Sequence, residues 1–457
     1  VPALLMSNAS SMRWAGPHQV LFAEARAGFH MGLVTATENR SAPRNVYLPR
    51  SPQGMVHFFE PSPDGKWVLL VEMLNAVWQP CRVVPFDGSS EGKQVGPPEA
   101  QCTAVAWSPD GRWMYFAAEV GAESHLWRQR FPDGAPEQLT SGLNQEWTVT
   151  ADPDGRSLIT AVGNVQSTVW FQGDGGARPV SVEGYAYRPL VSPDETKVYY
   201  LVKRAAKGTI WTGELWAADL ASGRNELALP GFQVETFDIS HDGKFAALAA
   251  FDSSGRSAIW LAAIDRSQPP RKLTPDGEPN ESRPFFGASG RIYFVRESQN
   301  GRAFYRMNQD GSGRQRLRPD SDDFLVNISP DERWAVSWNL TSDVQLLPLA
   351  GGEPQPLCLC GAGPIFHDSP RIGWSRDGKQ LFVNWGGSMV GLGTTVFSWK
   401  EVEARLSSAS LTLADLRRLP GTRQIQEISI APGATGARYA FARQAEQSNL
   451  FRIRLPH

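Results

Sequence analysis

Hydrophobic positions in this chain come in short unbroken runs and not at helical spacing. Trp67-Val68-Leu69-Leu70-Val71, Met114-Tyr115-Phe116-Ala117-Ala118, Val198-Tyr199-Tyr200-Leu201-Val202 and Ile292-Tyr293-Phe294-Val295 are rich in β-branched and aromatic side chains. Short runs without polar alternation predict strands buried on both faces, as when one sheet packs between two others. Half-polar segments follow, such as Ser124-His125-Leu126-Trp127-Arg128-Gln129 then Glu137-Gln138-Leu139-Thr140, or Ala258-Ile259-Trp260-Leu261-Ala262 then Arg271-Lys272-Leu273-Thr274. They predict further strands, four to a unit.

A recurrent turn introduces the buried runs. Close copies are Ser62-Pro63-Asp64-Gly65-Lys66, Ser108-Pro109-Asp110-Gly111-Arg112, Asp152-Pro153-Asp154-Gly155-Arg156, Ser240-His241-Asp242-Gly243-Lys244 and Ser375-Arg376-Asp377-Gly378-Lys379. Ser192-Pro193-Asp194-Glu195, Ser329-Pro330-Asp331-Glu332 and Ala288-Ser289-Gly290-Arg291 are weaker copies, and Trp14-Ala15-Gly16 and Ala431-Pro432-Gly433 are degenerate. Proline presets φ, aspartate bonds its own backbone and glycine takes the positive-φ position, which makes a tight hairpin. A return roughly every 40 to 57 residues is the period of a four-stranded propeller blade. A blade alone leaves its apolar faces in water. Burying a large side chain gains roughly 1.5–3 kcal/mol while ordering each residue costs about 1–2 kcal/mol, so only a closed stack is stable.

The expected fold is therefore all-β: a β-propeller of four-stranded antiparallel blades with about ten repeats. Residues 1–457 read as a single large propeller, with two tandem smaller propellers as the alternative. Residues 400–420, carrying Leu411-Thr412-Leu413-Ala414-Asp415-Leu416-Arg417, read as an insertion with a short helix. The last unit, Ile425 to Pro456, shows three strands, and Val1 to Met6 is the candidate for the closing fourth.

Composition narrows the function. With 45 basic and 47 acidic residues interspersed, the net charge is −2, which gives no footprint of a nucleic-acid binder. No apolar run is long enough to cross a bilayer as a helix. Four cysteines are too few for a disulfide scaffold. Cys81 and Cys102, one in an outer strand and one entering the next unit, are placed to pair across adjacent blades as a disulfide; two buried free thiols are the alternative.

Ser-Pro-Asp-Gly turns followed by an apolar strand resemble the repeats of the TolB propeller and of the propeller domains in dipeptidyl-peptidase-like enzymes, over almost the whole chain. Residues 4–14, 127–134 and 449–456 are similar to the C-terminal propeller region of bacterial serine/threonine protein kinases of acidobacterial type. That resemblance implies an extracytoplasmic sensor or partner-binding module, periplasmic or at the cell surface, tethered to a kinase through a membrane span. A cytoplasmic location stays open. The kinase itself is absent from the sequence: there is no Gly-rich loop before a Val-Ala-x-Lys strand, no His-Arg-Asp loop and no Asp-Phe-Gly.

Other chemistry is thin. No Gly-x-Ser-x-Gly elbow is present, and the serines in Gly387-Ser388-Met389 and Ala288-Ser289-Gly290 read as turn residues. Cys358-Leu359-Cys360 with His367-Asp368 lacks the second ligand pair that structural zinc needs. The repeated turn aspartates, and Asp322-Asp323, fit local bonding better than calcium. Nothing calls for a metal, a cofactor or a catalytic residue. Binding is expected at the channel mouth, where Glu146, Trp147, Glu183, Tyr185, Tyr187, Arg283, Arg371 and Gln426 lie on segments entering innermost strands. The expectation is a non-catalytic domain for a protein, peptide or glycan ligand. The rival is a hydrolase or lyase with acid and base drawn from different blades.

Overall fold

The computed structural model describes residues 8–25, 30–51, 54–74, 77–121, 123–142, 145–182, 184–203, 212–253, 255–298, 301–318, 320–321, 323–338, 343–359, 372–385, 393–406, 413–427 and 430–455. Val1 to Met6 and the Cys360, His367 and Asp368 group lie outside them, as does Ser388.

The repeated turn is built as its chemistry demands, with one addition. Asp64 Oδ1 accepts from the Lys66 amide at 3.1 Å, and Gly65 has φ +69°. The Ser62 hydroxyl also donates to Asp64 at 2.5 Å and accepts from the amide of Trp67, the first residue of the following strand, at 3.0 Å. Serine thus ties the turn to the strand it launches. The same bonds recur at Ser108, Ser240 and Ser375. Neighbouring turns also touch: a side chain added at Gly111, Gly155, Gly243 or Gly378 would meet Pro63, Pro109, Pro193 or Pro330 of the preceding turn at 3.7–3.9 Å. The space would admit a side chain, so it is the positive φ of +69° to +72° that calls for glycine at these positions.

The chain divides into two compact units: Val1–Val165 with Ala205–Ile210 and Glu446–His457, and Gln166–Arg204 with Trp211–Ala445. Unit 1 contains successive antiparallel blades at Ala9–Tyr47, Gly54–Gln94 and Gln101–Gln138, the first two joined into one sheet by a parallel bridge between Met31 and Met55. In a further sheet, Gln145–Glu146 and Thr150–Ala151 pair with residues 157–165. Apolar cores fill the seams between them, such as Leu69, Val71, Met114 and Phe116 between the second and third. In that seam Cys81 and Cys102 form a disulfide, their Cα atoms 5.2 Å apart and both buried.

Unit 2 is a six-bladed propeller. Five blades run in chain order at residues 185–227, 234–272, 281–316, 324–359 and 372–425, each of four antiparallel strands, the first also joined to residues 166–173 by a parallel bridge between Ser167 and Tyr185. The sixth joins the two ends of the unit: Ala431–Pro432 and residues 439–445 supply the inner pair, while residues 166–173 and Gly176–Pro179 supply the outer pair. Each seam carries its own core. Tyr199 and Leu201 meet Ile239 and Leu248 between the first and second blades, and Phe382 meets Ile430 and Phe441 between the fifth and sixth. Val169 and Phe171 meet Val198 and Tyr200 where the sixth packs on the first. Every blade thereby buries both faces, the condition set by the unbroken apolar runs.

Within the fifth blade, the short helices Trp399–Glu403 and Leu413–Arg417 stand between its third and fourth strands. Val402 and Leu416 are buried, and Trp399 meets Trp374 edge to face at 5.2 Å.

Candidate functional site: the channel of the six-bladed unit

The innermost strands of all six blades line one cavity of about 230 Å³. Its wall is apolar over much of its area, with Val191, Phe237, Phe285, Ile328, Ile372 and Trp374. Its charges are Arg188, Arg283, Arg376 and Asp238, with His241 in the wall as well.

Bulges in the inner strands present two of the arginines. In the first blade pairing slips between Tyr187 and Leu190, and in the third between Ser282 and Phe285. A bulge leaves residues unpaired and re-aims their side chains. Arg188 and Arg283 occupy these positions with φ +49° and +53°, each followed by a proline, Pro189 and Pro284. A non-glycine residue in this region costs on the order of 1–2 kcal/mol, so both arginines stand at strained positions in the channel wall.

The electrostatics follow from enclosure. Burial pushes the Arg283 pKa down to about 10, and the neighbouring Arg188 pushes the same way while Glu235 opposes. Burial raises the Glu235 carboxyl, against the Ser257 hydroxyl at 2.9 Å and the fields of Arg283 and Arg188. Burial also raises Asp238, although Arg376 and two backbone amides oppose it. Those amides are Phe286 N at 2.7 Å and its own neighbour Ile239 N at 2.9 Å, so Asp238 pins the second blade's inner strand to the third. Asn327 accepts from Ile328 N at 2.7 Å in the same way. Arg376 reaches Val191 O at 3.3 Å and is lowered by burial.

Of the residues expected at a channel mouth, Arg283 lines this cavity. Tyr187 is buried in the seam between the first and second blades, and Tyr185 accepts from Gln444 Nε2 at 2.6 Å. Gln426 is exposed beyond the last strand of the fifth blade. Glu183 and Arg371 lie outside the described residues. In unit 1, Glu146 is buried against His125 Nδ1 at 2.9 Å, and Trp147 Nε1 donates to Gln145 Oε1 at 3.2 Å. Arg188, Glu235, Asp238 and Arg376 escaped the sequence reading. One signal pointed to the first: Arg-Pro stands four residues before the turn at both Arg188 and Arg283. Among the described residues no group of three or more histidine, cysteine or carboxylate side chains is arranged to hold a metal.

Six four-stranded blades around a channel define a β-propeller protein. No protein family model matches the chain. A protein of Agrobacterium fabrum (strain C58), Uncharacterized protein Atu1656, is 29% identical over 69 residues, which are 15% of this chain and 21% of that protein; the chain spans about a fifth of that relative's length. Among solved structures, the putative TolB from Agrobacterium tumefaciens is 18% identical, covering 60% of this chain and 84% of that one at a TM-score of 0.25. TolB from Acinetobacter baumannii is 15% identical over 66% and 64%, TM-score 0.24. The oligogalacturonate lyase from Vibrio parahaemolyticus is 14% identical over 72% and 94%, TM-score 0.36.

Proposed function

We propose that this chain is a non-catalytic binding propeller whose recognition site is the channel of the six-bladed unit. The observation that carries the reading is the convergence of six inner strands on one cavity with strained arginines in its wall. Strain retained at a cavity is a mark of function, because folding alone would remove it. The enzymatic rival has two carboxyls with raised pKa values in its favour, Glu235 and Asp238. Ser257 engages one Glu235 oxygen, however, and the amides of Ile239 and Phe286 engage both oxygens of Asp238. An acid tied to two backbone amides of the scaffold serves the scaffold.

The binding propeller acts as the extracytoplasmic sensor of a serine/threonine kinase. The likeness of residues 4–14, 127–134 and 449–456 to such sensors supports this, and so does the Cys81–Cys102 disulfide, since disulfides persist in oxidising compartments. A parent gene without a kinase upstream of Val1 would remove the kinase part of the proposal.

Thermal-shift screening against neutral, anionic and cationic small molecules, with hits located by hydrogen exchange, tests the recognition site. Protection of amides in residues 188–191, 236–241 and 283–286 is the expected result. Hits that protect only outer strands overturn the reading.

A further inference from the structure

We infer that the channel of unit 2 holds a small organic carboxylate, with its anionic end between Arg188 and Arg283 and its apolar body along the wall that carries Phe237, Phe285 and Trp374. This rests on the channel being the recognition site and names the class of ligand it takes.

Unmet hydrogen-bonding capacity comes first. Three residues of the cavity wall each carry a buried polar atom with no hydrogen-bond partner: Arg188 at Nε, Thr236 at Oγ1 and Trp374 at Nε1. The guanidinium and indole groups can only donate, and the hydroxyl can donate too, so all three are satisfied by a ligand that accepts. Leaving such groups unmet costs on the order of 1–3 kcal/mol each, more for a charged one.

Charge comes second. Asp238 is occupied by backbone amides and faces Arg376, which itself reaches Val191 O. Arg188 and Arg283 then face Glu235. Arg302 and Glu297 bear on Arg283 as well, so three positive groups less two negative ones leave a single positive charge, which matches a monoanion. A planar guanidinium also meets a carboxylate through two parallel hydrogen bonds.

The backbone supplies the third argument. The bulge positions of other blades carry Ser11, His57, Thr103, Glu235 and Val326, so the bulge itself does not require arginine. Arginine at a strained position before proline, in the first and third blades, is retained for what it holds. Size completes the description. A cavity of about 230 Å³ lies below the roughly 300–1,000 Å³ that encloses drug-sized ligands, so the occupant is small.

Calorimetric titration with benzoate, phenylacetate and hexanoate tests the inference, beside benzamide as the neutral isostere of benzoate and inorganic phosphate as a bare oxyanion. At least one carboxylate is expected to bind at millimolar concentration or below, with benzamide weaker than benzoate by about tenfold or more. Arg188→Gln and Arg283→Gln should each weaken carboxylate binding by about tenfold or more. Arg188→Lys, which keeps charge but not the fork, should fall between. Near-UV circular dichroism of each variant separates lost binding from lost folding. Equal binding of benzamide and benzoate, phosphate binding as tightly as the carboxylates, indifference to both Gln substitutions, or no binding by any carboxylate overturns the inference. Neutral or cationic hits that protect the inner strands would leave the recognition site standing while removing the carboxylate; hits that protect only outer strands would remove both.

Discussion

The Glu332 carboxylate of the fourth blade accepts the backbone amide of Ser289 in the third at 2.5 Å, along with the Ser289 hydroxyl at 3.0 Å and the Tyr293 hydroxyl at 2.7 Å. Glu332 stands where most turns have glycine, at φ +54°. The turn it reaches begins Gly287-Ala288 where others begin Ser-Pro, and a side chain at Gly287 would overlap the glutamate. Glu195 repeats the arrangement at φ +53°: its carboxylate accepts from Ala434 N at 2.6 Å, and Gly433-Ala434 takes the place of Ser-Pro. The weak copies of the repeat are therefore paired. A glutamate in one turn replaces the capping groups that its neighbour lacks.

That pairing predicts a reversal of sign. Gly287→Ser should destabilise the parent, because the new side chain meets Glu332 and the Tyr293 ring, and should cost less beside Glu332→Gly, which leaves only the tyrosine to shift. Glu332→Gly alone removes three hydrogen bonds and relieves one strained residue, for a net loss of about 1–3 kcal/mol. Chemical denaturation of the two single variants and the double should show a coupling of about 1–3 kcal/mol, as for residues in direct contact. Additive effects would mean that the two turns are independent.

The strained arginines predict the opposite of an ordinary core substitution. Arg188→Gly frees a positive-φ position and removes a buried guanidinium whose Nε lacks a partner. Stability should hold or rise by about 1 kcal/mol while binding in the channel is lost. A melting temperature that falls by several degrees would show that Arg188 supports the fold.

Glu235 predicts a pH dependence. Its folded pKa is raised, chiefly by burial, and the groups facing it are Ser257, Glu297, Arg283 and Arg188. A carboxyl raised above its unfolded value of about 4.3 favours the folded chain when protonated. Its contribution is full below the unfolded value and is lost as pH rises through the folded one. Glu235→Gln keeps an acceptor for the Ser257 hydroxyl and removes the charge. The variant should match the parent near pH 4 and exceed it near pH 7 in denaturation midpoint. A deficit near pH 7 would mean that the ion pairs with the arginines outweigh burial.

What the sequence made legible was what is local. Ser62-Pro63-Asp64-Gly65 encodes its turn within five residues, and the run after it encodes burial on both faces, so blade, strand number and packing could all be read. The channel charges were hidden because a bulge breaks the two-residue alternation: Arg188, between Tyr187 and Leu190, falls on a face that simple counting does not assign. Asp238 was missed since its role depends on an amide from another blade, Phe286, 48 residues away. Which blades share a ring was equally non-local. The strand Ser157–Gly173 reads as one run, and only coordinates show that residues 166–173 join residues 439–445 to close unit 2.

The disulfide gives a prediction for unit 1. Cys81 and Cys102 lie 21 residues apart in sequence and join two successive blades within their shared apolar core. Closing a loop of this size restricts the unfolded chain by about 3 kcal/mol on the chain-entropy model. Reduction keeps both sulfurs in the core, so the loss should come from the freed chain and not from a cavity. Cys81→Ala with Cys102→Ala adds the loss of two buried sulfurs and should cost more. Denaturation with and without reductant should therefore order the three states as oxidised parent, reduced parent, double variant. If reduction leaves the midpoint of unit 1 unchanged, the seam between the second and third blades is held by its apolar packing, Leu69, Val71, Met114 and Phe116 included, without help from the covalent link.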